Sequence, residues 1–190
     1  MPKAEVTVSG TFSKAGSSFA DVDENSYYYD AVEWAVKNGI AKGTDTTHFS
    51  PEMGVTRAHA VTFLYRVAGE PEVASENPFV DVPKDSYYYD AVTWAASKGI
   101  TIGTDDTHFS PDMVCSRAHI VTFLARANEV EVSEAETVFK DVDPKAYYSY
   151  AVEWAVEKEI TTGVSETQFA PDNSCTRAQI VTFIYRGYAK

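Results

Sequence analysis

The sequence predicts a mainly α-helical fold built from three helix-loop-helix repeats. Two observations carry that prediction. The same landmarks return every sixty residues with no insertion or deletion between them, and each copy holds two segments with helical spacing separated by a polar, Pro-containing loop. Phe19, Phe79 and Phe139 open the copies, followed by Asp21-Val22, Asp81-Val82 and Asp141-Val142. Trp34, Trp94 and Trp154, then Arg57, Arg117 and Arg177, then Phe63, Phe123 and Phe183 keep the interval. Three such units are enough to close a ring or bundle around a shared core.

The first helix of copy one is predicted from about Ser26 to Asn38, with Tyr28, Ala31, Val32, Ala35 and Val36 on one face. Ser26 is the expected N-cap, and Gly39 the left-handed stop with Ile40 packing behind it. Copy three has Glu159 at that stop, where a Cβ makes the left-handed conformation costly. A loop from Ala41 to Pro51 follows, in which Phe49 is the apolar residue expected to pin it to the core.

Thr56 caps the second helix, which carries apolar residues on more than one side, as a centrally packed helix does. Val55 with Ala60, Cys115 with Ile120 and Cys175 with Ile180 fit a hydrophobic staple across each cap. Arg66, Arg126 and Arg186 fall in the last turn, where a cation suits the dipole, and are read as structural. The predicted organisation is an N-terminal extension (1–18, with a stray strand at Glu5-Val6-Thr7-Val8), repeats at 19–69, 79–128 and 139–187, and acidic linkers at 70–78 and 129–138.

Composition narrows function. Hydrophobic residues make up 44% and aromatics 13%, as in a folded chain, while 28 acidic against 16 basic residues give a formal charge of −12. That field repels nucleic acid and anionic lipid, and no apolar run approaches the roughly 20 residues of a membrane span. The first residues lack signal-peptide organisation, so an exported parent would carry its signal elsewhere. Two cysteines are too few for a disulfide framework or closed zinc site; Cys115 and Cys175 match Val55 of copy one, which describes a small apolar pocket. A bridge between them would need a particular approach geometry. His48 and His108 match, but copy three has Gln168, which excludes a metal ligand common to all copies. No cofactor motif or catalytic constellation appears, and the carboxylates form no distinctive pair.

The ordered landmarks resemble the S-layer homology family. They stand as Phe19-Ala20-Asp21-Val22, Gly39-Ile40, Gly43 through Phe49-Ser50-Pro51, and Thr56-Arg57-Ala58-His59, repeated three times over about residues 19–187. The resemblance implies a three-pronged, pseudo-threefold bundle with a central three-helix core. It also implies non-covalent anchoring to a secondary cell-wall polysaccharide, often pyruvylated, held in grooves between repeats on mostly Gram-positive envelopes. A surface-layer assembly module with protein neighbours is the alternative, and an enzyme is the second rival. Two departures stand out. His59, His119 and Gln179 replace the family's Glu, with the His residues less suited to a capping box, and Tyr27, Tyr87 and Tyr147 replace its frequent early Trp.

Arg57, Arg117 and Arg177 are the strongest candidate site residues. A cation at the first helical position opposes the dipole unless an anion sits between it and free helix N–H groups. The competing reading is an internal bridge to Asp21, Asp81 or Asp141. Triple Arg→Ala replacement is expected to abolish wall retention with the fold intact. Trp34, Trp94 and Trp154, or the three early tyrosines, could offer flat faces to a sugar, although helical spacing equally places the tryptophans in the core. Gly43, Gly103 and Gly163 allow close backbone approach to a ligand, or simply satisfy a turn.

Overall fold

The computed structural model describes residues 17–134 and 136–189, so the expected strand at Glu5–Val8 lies outside the described residues. Six helices follow in chain order: α1 (Tyr29–Lys37), α2 (Arg57–Val67), α3 (Tyr89–Ser97), α4 (Arg117–Ala127), α5 (Ser149–Glu157) and α6 (Arg177–Tyr188). Among the described residues extended structure is limited to isolated bridges. No helix among the described residues is long and apolar enough to cross a membrane.

Each short helix packs on the long helix of the neighbouring copy: α1 against α6, α3 against α2, and α5 against α4. These pairs are the three prongs, and α2 also contacts α4 and α6 at the centre. The long helices bury residues on several faces, as their sequences require. In α2 alone Ala58, Ala60, Val61, Phe63 and Leu64 are all buried.

The pseudo-threefold axis is closed by backbone. Val55 N–H donates to Cys175 O (2.9 Å), Cys175 N–H to Cys115 O (2.9 Å), and Cys115 N–H to Val55 O (2.8 Å). All three side chains are fully buried, which explains a position that takes only Val or Cys. Both thiols are free, and burial pushes each pKa up to about 12.

The short helices start later than expected. Ser26 does not cap α1; its hydroxyl donates to Asp23 O (2.6 Å) in a preceding turn, and Tyr28 holds the cap position without a side-chain bond. Helix ends behave as predicted. Ile40 N–H returns to Ala35 O (2.8 Å) with Gly39 at φ 71°, and copy three keeps the same bond from Ile160 N–H with Glu159 forced to φ 56°. The long helices are capped by Thr56, Ser116 and Thr176. His119 completes a capping box as fully as Gln179 does, because Ser116 N–H donates to its Nδ1 (3.1 Å).

Candidate functional site

The most constrained part of the molecule is the meeting of each long helix start with the loop of the next copy. Arg57 N–H donates to Met113 O (2.9 Å), Ala58 N–H to Pro111 O (3.0 Å), and Arg57 Nε to Phe109 O (2.7 Å). Alternate carbonyls of one loop thus face one helix N-terminus. Copy two repeats this with Arg117 Nε on Phe169 O (2.9 Å), and copy three with Arg177 Nε on Phe49 O (2.9 Å). The third N–H of each helix goes to the cap side chain. The helix starts therefore have no spare N–H groups for an anion, contrary to the expectation from sequence, and neighbouring carbonyls offset the dipole penalty of an Arg there.

The competing reading fails as well. Asp21, Asp81 and Asp141 are not arginine partners; each carboxylate clamps its own copy's loop. Asp81 accepts from Phe109 N–H (2.9 Å) and Ser110 N–H (2.8 Å), Asp21 from Phe49 and Ser50, and Asp141 from Phe169 and Ala170. That clamp holds Ser50, Ser110 and Ala170 at φ 57–58°.

The three arginines are each only 3% exposed, and their guanidinium groups sit over phenylalanine rings: Arg57 over Phe109 (4.8 Å), Arg117 over Phe169 (4.7 Å) and Arg177 over Phe49 (4.6 Å). Desolvation lowers the pKa of all three. They differ at Nη2. Arg57 donates to Thr101 Oγ1 (3.1 Å) and Arg177 to Lys42 O (2.6 Å), whereas Arg117 Nη2 is buried with no acceptor among the described residues. Three buried cations so embedded cannot be removed together without loosening the loops they hold, which corrects the expectation that triple replacement leaves the fold intact.

Beside Arg57 lies a cleft of about 380 Å³ to which all three copies contribute. Arg57 forms part of its floor, copy two supplies Thr101, Gly103, His119 and Arg126, and copy three supplies Tyr147. Tyr147 is 55% exposed, as are Tyr27 (63%) and Tyr87 (62%) at the equivalent places. Each stands edge-on against the next tyrosine in sequence at 5.0–5.2 Å between ring centres, which fixes its orientation.

The structure thus brings Arg57, Gly103 and an early tyrosine together and leaves the tryptophans out. Trp94 is buried and packs tilted against Tyr65 (5.6 Å); Trp34 packs edge-on to Tyr185 (5.6 Å); Trp154 lines a different cleft. A Cβ on Gly43, Gly103 or Gly163 would fall within 2.4–2.7 Å of loop carbonyls and of Phe19, Phe79 or Phe139, so close packing inside the loop suffices to require glycine. Arg126 was legible only as a dipole partner. It does hold Ile100 O (3.3 Å), and Arg66 and Arg186 hold Ile40 O and Ile160 O likewise, but Arg126 also reaches the cleft. Thr101 and His119 carry no sequence signal for the site. No cluster of metal-ligating side chains occurs among the described residues. His48 and His108 instead pair with Asp45 and Asp105, whose carboxyls are held at about 2, chiefly by backbone N–H bonds from Thr47 and Thr107.

Comparison with known proteins follows the same sixty-residue phase. The family model of the S-layer homology domain matches residues 18–61, 78–120 and 138–181. An S-layer protein of Bacillus thuringiensis subsp. finitimus is 24% identical over 90% of this chain and 21% of its own length. A cellulosome-anchoring protein of Acetivibrio thermocellus is 29% identical over 76% of this chain and 34% of its own, and an endoglucanase of a Bacillus species 26% identical over 85% and 18%. The chain spans about a fifth to a third of the length of these relatives. Matched three times in register over most of its length, the chain belongs to the S-layer homology domain family.

Proposed function

We propose that this chain anchors a larger polypeptide to a bacterial cell wall, of Gram-positive type, by non-covalent binding of an acidic, pyruvylated secondary cell-wall polysaccharide. The observation that carries this reading is the cleft assembled from all three copies: a buried guanidinium with no carboxylate at ion-pair distance among the described residues, a second arginine, a hydroxyl and an exposed tyrosine converge there in a protein of charge −12. Charge in the cleft is positive while the surrounding field is negative, so recognition acts at short range. Tyr147 supplies a face for a sugar ring, Arg126 and Arg57 meet the acid group, and Arg117 near Tyr27 and Arg177 near Tyr87 repeat the arginine–tyrosine pairing, which adds avidity if one polymer reaches more than one.

The chain itself does no chemistry in this reading. Relatives named for surface layers and cellulosome anchoring support the anchoring role, and those named as enzymes match over a small part of their length. The test is co-sedimentation with purified wall sacculi. Replacing exposed Tyr27, Tyr87 and Tyr147 by Ala is expected to abolish retention while the helical signal stays unchanged. Full retention by that variant rejects the clefts as the site, and concentration-dependent oligomers in the absence of polysaccharide would favour surface-layer assembly instead.

A further inference from the structure

We propose that the cleft at the C-terminal ends of α5 and α6 is a second site, separate from the inter-repeat clefts, for a carboxylate-bearing sugar unit. The sugar ring lies on Trp154 and the acid group meets Lys158 and Arg186. This cleft encloses about 260 Å³ and is lined by Asn128, Trp154, Lys158, Ile160, Arg186 and Gly187. Its counterpart in copy one, two repeats earlier in phase, is lined by Trp34, Asn38, Ile40, Arg66, Val67 and Tyr188. The pair is an internal comparison, because the two clefts share a backbone and differ in side chains.

The side-chain differences add charge to the copy-three cleft, which at about 260 Å³ is smaller than its counterpart at about 320 Å³. Gly187 stands in place of Val67, which removes a side chain from the wall. Lys158 replaces Asn38 and adds a cation. Arg66 lies 3.8 Å from Glu70, whereas neither Arg186 nor Lys158 has a carboxylate within ion-pair distance among the described residues, although Glu157 and Glu159 flank Lys158 in sequence. Trp34 and Trp94 each carry a tyrosine ring; Ala125 occupies the matching position in copy two, so Trp154 has no ring partner. Arg186 is fixed by one bond, Nη1 to Ile160 O (3.2 Å), which leaves Nε and Nη2 without a partner among the described residues.

Two uncompensated cations beside an indole face match an acidic sugar. The ring's C–H face packs on the aromatic surface, and the carboxylate accepts from an arginine fork and an ammonium. A neutral sugar forfeits the charge-assisted bonds, and a small anion forfeits the stacking. The site stands independently of wall anchoring through the inter-repeat clefts.

The test follows the three indole N–H signals of the ¹⁵N-labelled chain, assigned with Trp154→Phe, during titration with sodium glucuronate to about 50 mM, a range that captures millimolar dissociation constants. The Trp154 signal is expected to move saturably with glucuronate and to stay in place with glucose or sodium acetate, while the Trp34 signal stays in place throughout. Lys158→Glu, at an exposed residue whose side chain makes no bond among the described residues, is expected to lose the movement; Lys158→Arg keeps it, and Arg117→Met leaves it intact. The proposal is overturned by a stationary Trp154 signal, by equal movement with glucose or acetate, by equal movement of Trp34, or by an undiminished response in Lys158→Glu.

Discussion

Replacing each buried arginine singly by Met turns the threefold repeat into its own control. Methionine keeps the packing on the phenylalanine rings and removes the charge, so each variant reports what the polar contacts are worth. Arg57 makes two bonds, to Phe109 O and Thr101 Oγ1, at 2.7 and 3.1 Å. Arg117 makes one, to Phe169 O at 2.9 Å, and buries a stranded donor at Nη2. A hydrogen bond to a charged group contributes about 1.5–3 kcal/mol and an unsatisfied buried donor costs about 1–3 kcal/mol. Arg57→Met should therefore be more destabilising than Arg117→Met by about 2.5–6 kcal/mol, with Arg117→Met close to neutral because desolvation of the ion is relieved at the same time. With a urea slope of about 2 kcal/mol/M the midpoints separate by about 1–3 M, read from helical circular dichroism. Arg177→Met should follow Arg57, since its Nη2 is satisfied by Lys42 O. Equal midpoints for Arg57→Met and Arg117→Met would refute the claim that Nη2 pairing distinguishes the copies.

Other consequences are open to direct measurement. His119 is held neutral in the α4 cap, its pKa lowered first by burial and then by Arg57. The unfolded chain then binds the extra proton, so this contribution is fully present above the ordinary histidine value of 6.5 and is lost as pH falls below it. His119→Gln, which copies the Gln179 box, should flatten that part of a stability–pH profile, and an unchanged slope would contradict the assignment. Glu159→Gly relieves a left-handed residue at φ 56° and should raise stability by about 1 kcal/mol in urea unfolding. Cys115 and Cys175, with thiols pushed up to about 12, should resist alkylation in the native chain at neutral pH and react on unfolding; rapid native labelling would show the axis to be open.

The repeat phase, the two helices of each copy and the loop pins were legible because they rest on apolar spacing, and Phe49, Phe109 and Phe169 are indeed fully buried. Ser26 misled because a serine before a helix can serve either as a cap or in a turn, and the choice depends on Asp23 O rather than on any residue type. The arginine partners were hidden for a related reason. They are main-chain carbonyls of the neighbouring copy, which leave no side-chain signature, so the search for a charge partner settled on Asp21, Asp81 and Asp141. Those aspartates serve backbone N–H groups instead. The clefts gather Tyr147 and Arg57 from copies far apart in the chain, a juxtaposition that only the swapped helix pairing creates.

The anchoring mechanism is tested most directly by calorimetric titration of this chain with purified secondary cell-wall polysaccharide, before and after chemical removal of its pyruvate groups. Saturable binding that weakens with added salt and disappears on depyruvylation is the predicted result. Equal affinity for the two polymers would contradict it, since the buried arginines would then have no anion to meet.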